Sequence, residues 1–360
     1  MTLEDFYFYY YSIYSIAAFV ALLVALRISF KRGSHSSINI FLVGVFCIIL
    51  MILYGSRSIL VGTDTGLMMD LFTYSNKIGD KRDPFINFLI KILKNFTDAQ
   101  GYIAFLAVLY LGNLFLFVKN RQNSADKFIF FFLILSLFFF KTMGINVVRQ
   151  GVSLAFFLNA LNFYEQSKKK WAIVFCLLSI AFHTTGLIPV LLFLVSIFLA
   201  SRKKGLQIAY LFLGTLSILA ILQVNLFDFL PKSIGVDALD ARAGYYNGDD
   251  WGYQIGFRPT FFIFNLFFIA VAIFVQKKLL KQDMSRDYSR YKIYLIYYLL
   301  SSAIFFTAFQ IPFSDRWGLF SWIFIPLLLE PLFRTFGKNY ALLLVLFSLI
   351  IFIIFEFVLK

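Results

Sequence analysis

The chain has 360 residues, of which 61 % are hydrophobic and only 14 % are charged, with a mean hydropathy of +0.81 and a formal net charge of +14. That balance excludes a soluble globular domain and points to an integral membrane protein. Apolar runs of roughly 15–25 residues, near the length that crosses ~30 Å of hydrocarbon as a helix, recur from end to end, and the alternation of a membrane β-barrel is missing. The expected fold class is an all-α polytopic bundle, forming a single transmembrane domain over 1–360.

The first apolar run, 6–27, lacks a basic leading region and a small-residue cleavage site, so it reads as a retained span rather than a signal peptide. Further spans are expected at 38–60, 100–118, 126–140, 145–164, 171–183, 186–200, 206–227, 259–276, 292–311, 317–333 and 339–358, about twelve in all. Cys47 and Cys176 fall inside apolar runs and read as small hydrophobes rather than disulfide partners or metal ligands. Basic clusters fall on alternate connections: Arg27, Lys31 and Arg32; Lys119, Arg121 and Lys127; Lys168 to Lys170; Arg202 to Lys204; Lys277 to Lys292; Arg334 and Lys338. By the positive-inside rule these face the cytoplasm, which places both chain ends outside. The net charge then reports topology and gives no reason to expect a nucleic-acid partner.

Two segments outside the spans are long enough to carry function. The segment 83–97 follows Asp83-Pro84, a plausible helix start, with Phe85, Phe88, Leu89, Ile92, Leu93 and Phe96 at helical spacing. It predicts an interfacial amphipathic helix on the outer side. The second is an outer-side loop, 229–258, rich in glycine, aspartate and aromatics. A third peculiarity is the apolar stretch from Trp171 to Ala200, which has basic flanks at both ends and is too short for two full crossings. Two short helices broken at His183-Thr184-Thr185-Gly186 reconcile this, provided protein or water surrounds the freed backbone. Internal repeats, low-complexity tracts and a dividing linker are not apparent.

With this topology the polar residues that interrupt apolar sequence collect on the outer side. They are Arg57 and Asp64; Lys141, Asn146, Arg149 and Gln150; His183; Arg242 and Arg258; and Arg316. An arginine at mid-bilayer costs roughly 2.5–3.5 kcal/mol on insertion scales, so each needs a partner or a wet cavity. Asp64, Asp240, Asp315 and a few loop acids are the only partners at hand, which leaves several arginines for a ligand. Plainer readings stand beside this one. An arginine near a span end snorkels to the interface or pairs with an acid, and His183 serves equally as a hydrogen-bonded packing residue. The acids of "GDDWG", Gly248 to Gly252, fit an ordinary solvated turn. Metal-binding, P-loop, nucleophile-elbow and dinucleotide signatures are absent, so no metal and no cofactor is expected. Outward arginines in a membrane suit an anionic substrate with a lipid tail, because a guanidinium holds phosphate oxygens in a bidentate fork and stays charged.

"RSILVGTDT" (Arg57 to Thr65) with Tyr74 downstream, then "NVVRQGVSLAFFLNAL" and "FHTTGLI", resemble in order and spacing the signature blocks of the EpsG/Wzy-type polysaccharide polymerases. The likeness covers most of the chain. It implies a GT-C-like membrane glycosyltransferase of the bacterial inner membrane, with a cavity facing the periplasm. Such an enzyme joins undecaprenyl-diphosphate-linked oligosaccharide repeat units into O-antigen, capsule or exopolysaccharide. Position by position, Arg57, Asp64, Arg149, Gln150 and His183 match; "SDRWGLFSW" departs, with Trp317 and Phe320 where tyrosine is expected after Arg316.

On this reading Arg149, Arg57, Arg316, Arg258 and Gln150 hold the diphosphate, and metal is not needed. His183 and Asp64 are the candidate bases. Arg242, Tyr245, Tyr246, Trp251 and Tyr253 bind glycan, the loop aromatics serving equally as packing or interface anchors. Expected partners are the lipid-linked oligosaccharide as donor and acceptor, membrane lipid, a chain-length regulator and a flippase. Three rivals share parts of this pattern. An O-antigen ligase uses the same donor. A lipid-linked oligosaccharide flippase would need polar residues through the full membrane depth and internal repeats. A membrane O-acyltransferase would work through His183.

Overall fold

A computed structural model describes residues 1–30, 36–75, 84–121, 126–226, 255–281, 285–334 and 339–358. Among these residues all regular structure is helical. The helices are α1 Leu3–Phe30, α2 Ser36–Gly55, α3 Thr63–Thr73, α4 Pro84–Leu93, α5 Ala99–Asn120, α6 Lys127–Leu135, α7 Phe138–Ile145, α8 Val148–Glu165, α9 Lys169–Phe182, α10 Leu187–Ala200, α11 Gly205–Ile221, α12 Pro259–Lys281, α13 Ser285–Thr307, α14 Asp315–Trp322, α15 Ile325–Arg334 and α16 Tyr340–Ile353. Six stretches, containing α1, α2, α5, α12, α13 and α16, are long and apolar enough to cross a membrane. A seventh qualifies if the bent pair α6–α7 is one span.

The chain divides into two compact units, Met1–Gly186 with Phe333–Lys360, and Leu187–Leu332. In the first, α1 packs on α16 and α6, α2 on α5, and α5 and α9 on α8. All eight residues from Phe128 to Leu135 are buried, as a helix apolar on every side requires. The contacts of α8 are polar as well. Asn159 Nδ2 donates to Asn113 O at 2.8 Å, Asn162 Nδ2 to Phe117 O at 2.7 Å and Gln166 Nε2 to Asn120 O at 2.9 Å. Amide side chains one turn apart thus run along α5 as rungs, the hydrogen-bonding glue that hydrocarbon-embedded helices use where apolar contact gives no preference over lipid. In the second unit α13 is the centre, largely buried along its length, and α10, α11, α12 and α14 pack on it. Its polar knot is Asn265, whose Oδ1 accepts from Trp322 Nε1 at 2.9 Å and Tyr298 Oη at 3.2 Å.

Three expectations need correction. The span expected at 126–140 is broken at Ser136-Leu137, and α7 leaves α6 at 72°. Tyr14 Oη meets Ser136 Oγ at 3.0 Å and Tyr110 Oη donates to Phe140 O at 2.8 Å, so hydroxyls from α1 and α5 take up polar groups at and beyond the break. The span expected at 38–60 stops at Gly55, where Arg57 Nη1 donates to Tyr54 O at 2.7 Å and satisfies one of the last carbonyls of α2. The amphipathic helix forms as α4, but the stripe it buries is Ile86 and Ile90, with the Phe85 ring edge-on to Phe182 at 5.3 Å. Phe88, Ile92 and, past the helix end, Phe96 point outward. The helix is apolar on two stripes, and the larger side chains take the one facing the surroundings.

Candidate functional site

The first signature block begins where α2 ends. Arg57 is fully buried, with its Nε on Thr65 Oγ1 at 2.8 Å and Nη1 on Tyr54 O, while Nη2 has no hydrogen-bond partner in the structure. Thr65 lies in the first turn of α3, so the guanidinium folds the loop 56–62 back on itself. Burial lowers Arg57, against the opposing pull of Tyr54 and the neighbouring Asp64 carboxylate, to about 10, so it remains a cation at neutral pH. Asp64, buried in the same turn, places a negative charge at a helix N-terminus, where the dipole favours it.

The second block is docked onto the first. Thr63 donates its backbone N–H to Asn146 Oδ1 at 3.1 Å and its hydroxyl to Asn146 O at 3.3 Å. Beside it Gly62 has φ +79°, and a Cβ there would run into the Ile145 carbonyl, so only glycine allows this approach. Asn146 and Val147 form the short turn from α7 to α8, and α8 begins without a side-chain cap. Half-buried Arg149 and buried Gln150 stand in that first turn, where the positive end of the helix dipole favours an anion.

The third block arrives at the same end of α8. Ser153 Oγ donates to Ser179 O at 2.7 Å and lies 3.1 Å from Ser179 Oγ, fixing α9 against α8. Arg149 lies four residues before Ser153, and His183 four residues after Ser179, about 6 Å of helix rise in each case. His183 ends α9 half-buried, and a single 3-10 turn, Thr184–Gly186, precedes α10, so the break falls where the sequence places it. Three short segments, far apart in sequence, thus meet at one corner of the first unit. A model of the EpsG family matches residues 40–360.

The chain belongs to the EpsG family. This is the family of Wzy-type polysaccharide polymerases, and membership makes the chain a multi-pass, glycosyltransferase-like polymerase. No curated relative and no solved structure matches it.

For a family member, the remaining expected site residues fall into two groups. Arg258 and Arg316 lie in the second unit. Gly256 N donates to Phe309 O at 2.8 Å, which docks the segment before α12 on the turn before α14. The Arg258 guanidinium lies 5.9 Å from the Phe261 ring and that of Arg316 4.9 Å from the Phe313 ring. Phe313 has φ +57°, a conformation that strains a bulky side chain and supplies the platform under Arg316. Arg242, Tyr245, Tyr246, Trp251 and Tyr253 lie outside the described residues.

Sequence reasoning missed Tyr54, Thr65 and the Thr63–Asn146 pairing. The spacing of Thr65 from Arg57 across a glycine turn was the available signal; nothing local marks Tyr54, which acts through its backbone.

Proposed function

We propose that this EpsG-family chain polymerises undecaprenyl-diphosphate-linked oligosaccharide repeat units on the outer face of the bacterial inner membrane, releasing undecaprenyl diphosphate. A single observation carries the reading: the Arg57/Asp64 segment is hydrogen-bonded, through Thr63, to the turn that leads into Arg149 and Gln150. Two cationic segments held together in a chain this apolar suit a ligand that is doubly phosphorylated at the membrane surface.

In the reaction a hydroxyl of the incoming unit attacks the anomeric carbon of the growing chain. The carbon–oxygen bond to the diphosphate breaks, and the electron pair leaves with undecaprenyl diphosphate. Arg149, with Gln150 and the positive end of the α8 dipole beside it, faces the developing negative charge; Arg57, held by Thr65 and the Tyr54 carbonyl, supplies a fixed cation. Arg316 and Arg258 are assigned further contacts to the diphosphate on charge and sequence order. The attacking proton passes to Asp64 or His183, or to the substrate's own phosphate. The guanidinium groups stand in for a metal. Arg242, Tyr245, Tyr246, Trp251 and Tyr253 bind glycan on this reading, and α4, with Phe88, Ile92 and Phe96 turned outward, borders a lateral entry for the lipid chain.

We read the whole as one transmembrane domain of about twelve helices in a GT-C-like arrangement with an outward cavity, partnered by a flippase and a chain-length regulator. The test is reconstitution in lipid nanodiscs with repeat units extracted from a polymerase-deletion strain, in the presence of EDTA. Multi-unit glycan and free undecaprenyl diphosphate in equal increments support the reading. Transfer to lipid A core alone, or dependence on added metal, contradicts it.

A further inference from the structure

Lys141 lies in an apolar run, and the site described above does not use it. Its Nζ is bonded to both oxygens of Glu356, at 2.6 and 2.7 Å, and both side chains are nearly inaccessible. Tyr11 Oη donates to Glu356 Oε2 at 2.8 Å. The rings of Tyr7, Tyr10 and Tyr11 surround the ammonium at 5.2, 5.3 and 5.6 Å, a cation–π cage built by one face of α1. Glu356 stands in a π-helical turn, Ile354–Val358, that follows α16; the wider turn re-aims its carboxylate from where a continuous α-helix would carry it. Phe352, one turn before Glu356, stacks on Tyr14 at 3.5 Å, and Phe355, its neighbour, packs on Phe138 at 4.7 Å.

A buried ion pair is a poor device for stability, since desolvation offsets its attraction, and a good one for register, since only one alignment satisfies both charges. What it aligns here is α7. Three residues past Lys141, Gly144 lies so close to the Tyr54 ring that a Cβ would collide with it. Tyr54 is the residue whose carbonyl holds Arg57, and its ring also meets Phe6 at 5.8 Å, on the caging helix α1. Two residues further on is Asn146, which holds Thr63. The register of α7 against α1 and the turn 354–358 therefore fixes both ends of the arginine corner.

We propose that the Lys141–Glu356 pair is a latch that sets the register of α7, and that through Tyr54 and Asn146 it positions Arg57, Asp64 and Arg149 for polymerisation. Both residues are positioning residues, and the catalytic part of the statement rests on the polymerase reading.

The test uses the full-length protein in nanodiscs, comparing wild type with Lys141→Met/Glu356→Met and the swap Lys141→Glu/Glu356→Lys. The apolar pair removes both charges without leaving one stranded, so it folds where either single change is expected to fail. Hydrogen exchange over residues 57–66 reads the corner directly, without activity. The latch predicts exchange at least tenfold faster in the apolar pair, at unchanged melting temperature. With repeat units from a polymerase-deletion strain, kcat falls at least tenfold while KM stays within about twofold, and the swap recovers part of the rate. Unchanged exchange over 57–66, or wild-type kcat in the apolar pair, overturns the latch. A wild-type protein that polymerises nothing overturns the polymerase reading instead, and the exchange result still decides the latch.

Discussion

Thr63 donates its backbone N–H to the side-chain oxygen of Asn146 at 3.1 Å, and its hydroxyl to the Asn146 carbonyl at 3.3 Å. Residues 83 positions apart thereby become one structural corner, with Arg57 and Asp64 on one side and Arg149 and Gln150 on the other. Asn146→Ala removes the acceptor for the N–H and leaves the carbonyl. The expected loss is about 0.5–1.5 kcal/mol, the net worth of one such bond. Because the site is exposed at Thr63, the protein should stay abundant while the product glycan shortens, as a gel of the glycan from complemented cells would show.

Gly62 sits at φ +79° against the Ile145 carbonyl. Gly62→Ala combines left-handed strain with a collision, and the expected destabilisation is about 1–3 kcal/mol from strain alone. The purified variant should melt at lower temperature than a Gly214→Ala control, where a Cβ meets open space. Equal melting of the two would mean that the close approach is not maintained.

Arg57 is held by Thr65 and by the Tyr54 carbonyl. Thr65→Val keeps the shape and strands the guanidinium Nε, at an expected cost of about 1–3 kcal/mol. Arg57→Lys cannot reach both partners with one ammonium, so it should lower the melting temperature at least as far. If Arg57→Lys proves as stable and as active as wild type, the fork is not what holds the loop.

The rungs between α8 and α5 should be separable from catalysis. Asn162→Leu removes the bond to Phe117 O, and interhelical bonds of this sort are worth about 0.6 kcal/mol on average, up to about 1.7. A modest fall in detergent melting temperature with polymer length unchanged is expected. A large loss of polymer in stable protein would move Asn162 into the machinery.

Composition alone made the chain a helical membrane protein, and the three short blocks around Arg57, Arg149 and His183 were visible because polar residues there interrupt apolar sequence. The break at 183–186 was legible for the same reason: basic flanks on both sides leave too little chain for two crossings. The break at Ser136-Leu137 was not legible, since a single serine in an otherwise apolar run is ordinary in a membrane helix and the hydroxyls that meet it and the carbonyl beyond come from distant Tyr14 and Tyr110. Lys141 stood out in the sequence as a charge without a neighbour to meet it. Its partner lies 215 residues away in a turn whose geometry no local pattern announces. The amide rungs of α8 were hidden differently, because asparagine in an apolar helix signals a bond without naming its acceptor. Which stripe of α4 turns inward was also out of reach, because both stripes are apolar.

The central claim is that the Arg57–Arg149 corner acts on a lipid-linked diphosphate during polymerisation. Its most direct test is the glycan ladder from a strain lacking this gene, complemented with wild type, Arg149→Lys or Arg149→Ala, with membrane levels checked by blot. The account predicts that both variants stop at a single repeat unit at normal protein abundance, because the lysine keeps the charge and loses the bidentate fork. A long ladder from Arg149→Ala at normal abundance would contradict it and leave Arg149 a structural residue.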